Sequence, residues 1–368
     1  MTAPPKTMKA FVIEKPVSSW TADVVQPVAE NRQGVGAVKD HPTPQIAPDE
    51  VLVKVEYAAS NPTDFKHLDV EGAGLPGSVL GLDFCGTVVS AGDLVSSLKA
   101  GVRVASAVHG GKFSDKGSYA QYLKVAADMC WKVPESVKGD SAATFGTAYV
   151  TAAQCLFHHQ GNAFPPAKRP GNDWFLVQGG SSSVGLFAVQ LAKLIGYKVV
   201  ATSSPHSFDL VKAYGADAVV DYHDVAAAIA QIKQVTGGGV AGALECIGGV
   251  SNGQLAVDSI REGGGLVTCL IAVPAEIAER RADVKVERIL MYTVFGYAFD
   301  FLPSIHLPHK PEDNAWFKEF VKHSNELMGK YGIKGNPTKV REGLEQVPAN
   351  LSDLREGKVS GTKLVIKV

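Results

Sequence analysis

The first third of the chain consists of short segments in which apolar and polar positions alternate. Alternation bounded by Gly, Pro and Asp is typical of half-buried β-strands. The predicted strands lie at residues 8–13, 51–55, 86–89, 103–105 and 119–123. Closely spaced short strands predict a small, barrel-like β domain. Residues 20–48 lack the pattern, and we interpret them as a surface excursion.

The pattern changes near residue 174, where short apolar strands begin to alternate with helical segments. The strands predicted here lie at residues 174–177, 198–202, 218–221, 242–246 and 266–270. Between the first two, apolar residues recur at helical spacing from Val184 to Ile195. Repeated strand–helix–strand units predict a doubly wound parallel sheet, and therefore an α/β protein. A helical stretch at residues 316–328 and a strand at residues 362–368 end the chain.

Composition and charge exclude several classes of protein. The 368-residue chain is 45% hydrophobic, which favours folded cores over general disorder. Its 36 Lys and Arg residues nearly balance 37 Asp and Glu residues, so no net charge favours nucleic acid or an anionic membrane. Five scattered Cys residues without a CxxC pair predict neither a disulfide framework nor a structural zinc site. Because no signal-peptide core or membrane span is recognisable, we expect a cytoplasmic protein.

A loop rich in Gly and Ser joins the first strand of the parallel sheet to its helix, and residues 178–185 read QGGSSSVG. This is the position of a dinucleotide-binding loop, in which Gly180 makes the tight turn and backbone amides face a pyrophosphate. Ser182 replaces the middle Gly of the GxGxxG pattern, so a turn into an ordinary helix is the alternative. The surrounding strand–helix pattern favours a cofactor, and we assign four residues to it: Ser181, Ser182, Ser183 and Val184.

The end of the next strand indicates which dinucleotide is bound. An NAD site has an acidic residue there, about 20 residues after the loop, to hold the ribose 2′-hydroxyl. Residues 202–207 read TSSPHS and carry no carboxylate. Hydroxyls and an imidazole suit a 2′-phosphate, so we predict NADPH, bound by Ser204, His206 and Ser207, with Tyr222 beside the adenine. Helix capping by the two serines is an alternative that is compatible with this role.

Several segments of the sequence resemble the medium-chain dehydrogenase/reductase superfamily: residues 61–64 (NPTD), 81–86 (GLDFCG), 117–120 (GSYA), 214–217 (YGAD), 357–365 and the Gly/Ser loop. The chain is similar to the zinc-independent, quinone-reductase-like branch. Residues 204–210 (SPHSFDL) and the Pro-rich linker at 161–172 resemble fungal trans-acting enoyl reductases of polyketide pathways. The resemblance implies a GroES-like catalytic domain at residues 1–145, a Rossmann domain at 146–300, and a C-terminal return to the catalytic domain at 301–368.

The zinc-ligand positions of this superfamily can be compared with this chain directly. Zinc alcohol dehydrogenases have a Cys ligand where this chain has Asn61, and Gly-His-Glu where it has Gly81-Leu82-Asp83. A catalytic zinc needs about three well-placed N, S or O ligands. We therefore predict no metal, and reduction of an activated C=C bond suits the remaining groups better than alcohol chemistry.

The resemblance also implies roles for residues at the reacting end of the site. It places Thr147 against the nicotinamide and Lys66 at the substrate, where an ammonium can hydrogen-bond a carbonyl or deliver a proton. A buried helix residue and a solvated lysine are the respective alternatives. We assign Asn61 to catalysis and cofactor binding, and Asp64 to cofactor binding, although Asp64 also orients the turn at residues 61–66. Two weaker proton donors are His67 and Tyr149, and solvent is a further source.

The remaining assignments concern the walls of the site. Cys246, Leu270 and Ile271 lie at the carboxyl ends of two successive predicted strands, where open α/β sheets bind ligands, so we assign them to the cofactor, although core packing explains them equally well. We expect Phe295, Gly296 and Tyr149 to contact the substrate together with Lys66.

The predicted function is therefore NADPH-dependent reduction of an α,β-unsaturated carbonyl, with enoyl thioesters preferred. Quinone or enone reduction is one alternative, and a non-catalytic dinucleotide-binding partner protein is another. The resemblance implies a carrier-bound substrate and a polyketide synthase partner, and it leaves both monomer and homodimer open. No nucleic acid or membrane partner is expected.

Overall fold

The computed structural model describes residues 4–15 and 35–368. Its strands, in chain order, are β1 Thr7–Lys15, β2 Val35–Pro42, β3 Glu50–Ala59, β4 Asp83–Ala91, β5 Arg103–Ala107, β6 Tyr122–Ala126, β7 Trp131–Lys132, β8 Trp174–Gln178, β9 Lys198–Thr202, β10 Ala218–Val220, β11 Gly242–Glu245, β12 Gly265–Cys269, β13 Val284–Arg288, β14 Phe299–Leu302, β15 Ile305–Leu307, β16 Thr338–Glu342 and β17 Lys363–Lys367. Its α-helices are α1 Pro62–Asp69, α2 Gly139–Ala142, α3 Thr147–Ala153, α4 Ser183–Leu194, α5 Phe208–Ala213, α6 Val225–Thr236, α7 Val250–Asp258, α8 Ala275–Ala278, α9 Pro311–Gly329 and α10 Val347–Arg355. None of these described helices combines the length and apolar character that a bilayer crossing requires.

Two compact units make up the chain. The first unit contains Met1–Thr147, Tyr292–Lys330 and Pro337–Val368, and the second contains Ala148–Met291 and Tyr331–Asn336. Each unit therefore draws on more than one stretch of sequence. The division expected above, at residues 145 and 300, remains a prediction for the domains of the chain.

Six parallel strands form the sheet of the second unit, in the order β10-β9-β8-β11-β12-β13. The predicted doubly wound sheet is confirmed. Because β8 lies between β9 and β11, the chain changes direction across the sheet at this point, which is where such sheets bind ligands. Phe175, Leu176 and Val177 are fully buried, as expected of a strand that helices cover on both faces.

A mostly antiparallel sheet forms the first unit, in the order β16-β17-β3-β4-β5-β7, and β6 also pairs with β3. The final strand, β17, pairs with β3 next to the start of α1. The Ser60 amide donates to the Leu364 carbonyl at 2.8 Å, which brings the end of the chain beside Asn61. The β-rich character predicted for this part of the chain is confirmed.

Two predicted details of the first unit are wrong. Residues 35–42 form β2, which pairs antiparallel with β1, so this part of residues 20–48 is not irregular. No position of β2 is fully buried, and its sequence therefore shows no apolar alternation. Residues 20–34 of the same segment lie outside the described residues. The strand predicted at 119–123 begins only at Tyr122, because Tyr119 is used in a buried polar network instead.

Candidate active site and cofactor site

Helix α1 of the first unit begins at the NPTD segment. Asn61 is its N-cap, and Pro62 fills the first helical position, where a backbone N–H would have no partner in the helix. Asp64 accepts the backbone N–H of Asn61 on Oδ2 at 2.7 Å, which is half of a capping box. These contacts fix the direction in which the helix leaves β3. The orienting role predicted for Asp64 thus has a structural basis.

Asp64 lies in a chain of buried hydrogen bonds. Its Oδ2 also accepts from the Tyr119 hydroxyl at 3.0 Å, and that hydroxyl lies 2.8 Å from Ser60 Oγ. Asn350 Nδ2 donates to the same Ser60 oxygen at 3.0 Å. Burial, assisted by the charge of Asp83, raises the pKa of Asp64 to about 7. Protein groups enclose Asp64 completely, which argues against direct contact with a cofactor.

A buried lysine from the last strand connects Asn61 to Asp83. Lys363 is 3% exposed and Asp83 is 0% exposed. The Lys363 ammonium donates a hydrogen bond to Asn61 Oδ1 and lies 3.4 Å from Asp83 Oδ2. A charged pair is tolerated at such depth when its remaining hydrogen bonds are made within the protein. Sequence reasoning missed Lys363; its signal is a lone Lys at the start of the apolar run Leu364–Ile366.

Thr147 is held by the other oxygen of Asp83. Asp83 Oδ1 accepts from the Thr147 backbone amide at 2.7 Å and from the Thr147 hydroxyl at 2.6 Å. Gly146 permits this approach, since a Cβ at that position would lie 2.3 Å from the Asp83 carboxyl carbon. The structure therefore brings together two predicted residues, Asn61 and Thr147, through two that were not assigned to the site.

Lys66 lies on α1, five residues after Asn61, and its side chain is exposed. Its amine makes no hydrogen bond or ion pair with any residue that the structure describes. Partial desolvation nevertheless lowers its pKa below the ordinary value. An accessible, unpaired amine is consistent with the predicted contact to a substrate carbonyl.

An aromatic group surrounds two buried histidines in the first unit. His109 stacks on Phe295 at 5.5 Å, and its Nδ1 lies 2.9 Å from the Tyr297 hydroxyl. His67 Nδ1 lies 2.8 Å from the Thr63 carbonyl, which can only accept, so this nitrogen carries the proton. Burial lowers the pKa of His67 to about 4 and that of His109 well below its usual range.

Two consequences follow for the predicted substrate residues. A neutral His67 whose proton is committed to a carbonyl is a poor proton donor, which weakens that assignment. Phe295 belongs to the aromatic group, and Gly296 directly follows it. Tyr149 belongs to the second unit, where it is fully buried and packs on Phe187 at 5.3 Å. Its burial favours a packing role.

The Gly/Ser loop of the second unit connects β8 to α4. Gly179, not the predicted Gly180, has the positive φ of the tight turn, 77°. Ser182 is the N-cap of α4, and its hydroxyl accepts from the Gly185 amide at 3.0 Å. A Cβ on Gly185 would lie 2.2 Å from the Gly179 carbonyl oxygen, so the absence of a side chain at Gly185 lets the start of α4 pack this closely on the loop. The residue that replaces the middle Gly of the motif thus stabilises the helix start.

Three backbone amides of this loop point to anion binding. The Ser182 amide is used within the loop, since it donates to the Gly179 carbonyl at 2.9 Å. The amides of Ser181, Ser183 and Val184 have no hydrogen-bond partner among the described residues. Unpaired amides at a helix N-terminus suit the negative charge of a pyrophosphate. The residues present therefore fit a dinucleotide. Ser182 contributes by capping α4 with its hydroxyl, because its own amide is already bonded to Gly179.

Side chains at the ends of β9 and β10 lie together. Ser204 Oγ is 3.2 Å from the Tyr222 hydroxyl. Tyr222 stacks on His223 at 4.5 Å, and His223 is hydrogen-bonded to Asp221. His206 is exposed on the same loop as Ser204, whereas Ser207 is buried. His223 was missed, although it directly follows the predicted Tyr222.

The ends of β11 and β12 complete this edge of the sheet. Cys246 directly follows β11 and is half-buried. Leu270 and Ile271 directly follow β12, and both are half-buried. Glu245, which sequence reasoning missed, accepts the amides of residues 247 and 248 at 2.7 and 2.8 Å and fixes the turn after β11. Burial raises the pKa of this carboxyl.

Within residues 4–15 and 35–368, no group of three or more His, Cys, Asp or Glu residues is arranged to hold a metal ion.

Comparison with known families identifies both units. The alcohol dehydrogenase GroES-like domain model matches residues 47–135, and the zinc-binding dehydrogenase model matches residues 183–301. A solved mycobacterial protein, Rv1454c complexed with NADPH, has a TM-score of 0.72 at 22% identity and covers 98% of this chain and 100% of its own. At that identity the likeness shows the fold alone.

Curated relatives are more similar. The trans-enoyl reductase ACTTS2 of Alternaria alternata is 38% identical over 340 residues, which cover 91% of this chain and 96% of that protein. The trans-enoyl reductase caaB of Aspergillus niger is 35% identical, with 93% and 96% covered. The chain therefore belongs to the trans-enoyl reductase family of the medium-chain dehydrogenase/reductase superfamily.

Proposed function

We propose that this protein is an NADPH-dependent oxidoreductase that reduces the C=C bond of an α,β-unsaturated carbonyl compound, preferably an enoyl thioester. The observation that carries the proposal is the likeness along 96% of a relative named trans-enoyl reductase. The local geometry supports the same chemistry. Among the described residues, one unit has loop amides without a partner that suit a dinucleotide, and the other has the Lys66 amine, which has no partner and suits a carbonyl.

NADPH is favoured over NADH by the side chains beside β9. Ser204 and Tyr222 offer two hydroxyls within 3.2 Å of each other, and the imidazoles of His206 and His223 lie near them in the sequence. The loop at residues 202–207 offers no carboxylate for a ribose diol. Asp221, the acidic residue at the end of β10, is already bonded to His223. Hydroxyl and imidazole groups suit a 2′-phosphate.

A catalytic zinc does not fit the first unit, although one matching family model is described as a zinc-binding dehydrogenase. The two ligand positions that the superfamily comparison identifies carry Asn61 and Leu82. The Lys363 ammonium already donates to the Asn61 side-chain oxygen and is held beside Asp83. A second cation there would have to displace a buried charge from its partners. We therefore propose a reaction without a metal.

The reaction needs a hydride, a place for negative charge and a proton. NADPH, when bound, supplies the hydride to the β-carbon of the substrate. The electron pair of the C=C bond then moves toward the carbonyl, where Lys66 can hydrogen-bond the oxygen as it becomes negative. The α-carbon takes a proton from Lys66 Nζ or from water, and the products are the saturated carbonyl compound and NADP⁺. Phe295 and Gly296 are proposed to contact the acyl chain.

The natural substrate is proposed to be an enoyl chain attached to a carrier of a polyketide synthase. This extension rests on the resemblance of residues 204–210 and 161–172 to fungal trans-acting enoyl reductases of polyketide pathways, and the relatives named trans-enoyl reductase agree with it. A cytoplasmic location is part of the proposal. Monomer and homodimer remain open.

The proposal can be tested with the purified protein and a substrate panel. Oxidation of NADPH and of NADH would be followed with crotonyl-pantetheine, an enone and a quinone. We expect turnover of the thioester with NADPH, slower turnover of the other substrates, and weaker activity with NADH. Binding of NADPH without reduction of any substrate in the panel would overturn the catalytic proposal in favour of a non-catalytic dinucleotide-binding protein.

A further inference from the structure

We propose that Glu245 is a positioning residue for the dinucleotide, which fixes the turn after β11 against the Gly/Ser loop and acts on that loop through Ile247. This inference rests on the proposed function, since it takes the loop amides to be the binding site of the cofactor pyrophosphate. It gives a role to a buried carboxyl that no step of the proposed reaction uses. It also gives one to an exposed apolar side chain beside the loop.

The carboxyl of Glu245 closes the turn directly after β11. Glu245 is fully buried, and its Oε1 accepts from the Ile247 amide at 2.7 Å and from the Gly248 amide at 2.8 Å. Its Oε2 also accepts from the Gly248 amide, at 3.0 Å. These bonds do not depend on the charge of the side chain, because a protonated carboxyl still has an oxygen that accepts. Two backbone amides of the turn are therefore held by one side chain.

The same turn is bonded to the strand that leads into the Gly/Ser loop. Asn252 Nδ2 donates to the Gly248 carbonyl at 2.7 Å, and Asn252 Oδ1 accepts from Gln178 Nε2 at 2.7 Å. Gln178 is the last residue of β8, and its carbonyl accepts from the Cys246 amide at 3.2 Å. Gly248 is thus held through its amide by Glu245 and through its carbonyl by Asn252. The turn has a fixed position relative to the residue that precedes Gly179.

The Ile247 side chain carries this position to the Gly/Ser loop itself. It is 48% exposed, yet a Cβ on Gly179 would lie 2.6 Å from Ile247 Cδ1. The isoleucine therefore packs on the glycine whose positive φ makes the tight turn of the loop. On its other side the turn packs on the segment after β12, where a Cβ on Gly248 would lie 2.9 Å from Ile271 Cδ1. A shift of the turn would uncover Gly179.

The consequence concerns the direction of the loop amides. The three amides without a partner among the described residues follow Gly179 within five positions, so the conformation of this glycine sets where they point. Donors that are already oriented bind a ligand more tightly, because less ordering accompanies binding. Without Glu245, two amides of the turn would lose their acceptor and the turn would move to find another. Ile247 would then no longer hold the loop in place.

The test compares two replacements of Glu245 that differ in one property. Glu245→Gln keeps an oxygen that can accept from both amides, whereas Glu245→Met has a similar length and no such oxygen. Dissociation constants for NADPH and NADH would be measured by fluorescence, and thermal unfolding would show that each variant is folded. We expect Glu245→Met to bind both cofactors about tenfold more weakly than wild type, and Glu245→Gln to stay within about twofold of wild type. Both cofactors should be affected equally, because they share the pyrophosphate.

Variants of Ile247 test whether the effect passes through this side chain. Ile247→Ala should weaken binding of both cofactors about threefold, whereas Val235→Ala, a control at a 40% exposed position on α6, should leave it unchanged. Because Glu245 acts through Ile247, the double variant Glu245→Met/Ile247→Ala should bind no more weakly than Glu245→Met alone. Should Glu245→Met not fold, Ile247→Ala and its control decide.

Four results would each overturn the proposal. They are wild-type affinity in Glu245→Met, a loss in Glu245→Gln as large as in Glu245→Met, unchanged affinity in Ile247→Ala, and a loss in the double variant that equals the product of the two single losses. None of them affects binding of NADPH or turnover of the enoyl thioester by wild type. The proposed function fails on those wild-type measurements alone, so the two failures can be told apart.

Discussion

The polar groups of the two units are arranged in opposite ways. In the first unit the ionisable side chains of Asp64, Asp83 and Lys363 are buried and contact other protein groups. In the second unit three amides of the Gly/Ser loop have no partner among the described residues. A buried network whose bonds are made internally costs stability when one member is lost, and it holds its members in place. Amides without a partner at a helix N-terminus can instead donate hydrogen bonds to an anionic ligand.

Loss of the buried cation is expected to have the largest effect. Lys363→Met leaves Asp83 uncompensated, and breaking a buried pair in this way costs about 3–5 kcal/mol in the free energy of unfolding. Lys193→Met is the control, because Lys193 pairs with Asp217 at 2.8 Å but both are partly exposed, so about 1 kcal/mol or less is expected. Urea titrations would measure both. Equal effects would contradict the contrast between the units.

The double variant Lys363→Met/Asp83→Asn sharpens the same point. It removes both charges, so it should recover much of the stability that Lys363→Met loses. If Asp83→Asn instead lowers the free energy of unfolding of the Lys363→Met variant as much as it lowers that of wild type, the two side chains do not act as a pair.

The next largest effect is a pH dependence from Asp64. Its pKa is raised from 3.8 to about 7 by burial, with Asp83, Tyr119 and Lys363 facing it. The folded state therefore binds the proton more tightly than the unfolded state, and this contribution to stability is full below pH 4. It is lost as the pH rises through 7, by up to about 4 kcal/mol at 1.36 kcal/mol per pKa unit.

The Asp64→Asn variant is the control for this pH dependence. An amide oxygen can still accept from the Asn61 amide and the Tyr119 hydroxyl, but the side chain no longer titrates. Unfolding of wild type and variant would be measured from pH 4 to pH 8. The stability difference between them should change with pH in this window, and a constant difference would show that Asp64 does not titrate there.

In the second unit, Gly185→Ala should disturb the loop. The added Cβ would lie 2.2 Å from the Gly179 carbonyl oxygen, so the loop must shift. We expect a stability loss of about 2 kcal/mol and a loss of cofactor binding of at least about tenfold. Gly329→Ala is the control, because the nearest atom to its Cβ outside the backbone of α9 would be in Pro134, at 3.5 Å. Unchanged cofactor affinity in Gly185→Ala would contradict the assignment of this loop.

The smallest expected effect concerns the choice of cofactor. Ser204→Ala removes a hydroxyl that the 2′-phosphate of NADPH would use and that NADH would not. We expect NADPH to bind about tenfold more weakly and NADH to bind unchanged, because a hydrogen bond to a charged group is worth about 1.5–3 kcal/mol. Fluorescence titration with both cofactors is the measurement. If the affinities for NADPH and NADH fall equally, Ser204 supports the local structure and does not recognise the 2′-phosphate.

The contrast between the units also explains what the sequence predicts well. The Gly/Ser loop is contiguous, lies between a strand and a helix with clear periodicity, and needs no distant partner to be recognised. The parallel strands around the loop are recognisable for the same reason, because each is a continuous apolar run in the sequence, such as residues 175–177. The finer assignment of the turn to Gly180 was wrong, because backbone dihedral angles are not encoded in the spacing of two adjacent glycines.

The network of the first unit could not be predicted in this way. Lys363 and Asn61 are 302 positions apart, and their contact depends on how β17 pairs with β3. A lysine in sequence is expected at the surface, so its burial beside Asp83 is a property of the fold. Likewise, β2 has no buried face, and hydrophobic alternation could not reveal it. A site formed by residues that are far apart in the sequence can be recognised only once the structure shows their contacts.

Isotope transfer tests the central claim most directly. The purified protein would be incubated with crotonyl-pantetheine and NADPH that carries deuterium on both C4 positions of its nicotinamide, and the product would be analysed by NMR and mass spectrometry. We predict butyryl-pantetheine with one deuterium on the β-carbon and none on the α-carbon, because the hydride comes from the cofactor and the proton from Lys66 or water. Deuterium on the carbonyl carbon, or no transfer to an enoyl thioester at all, would contradict the account.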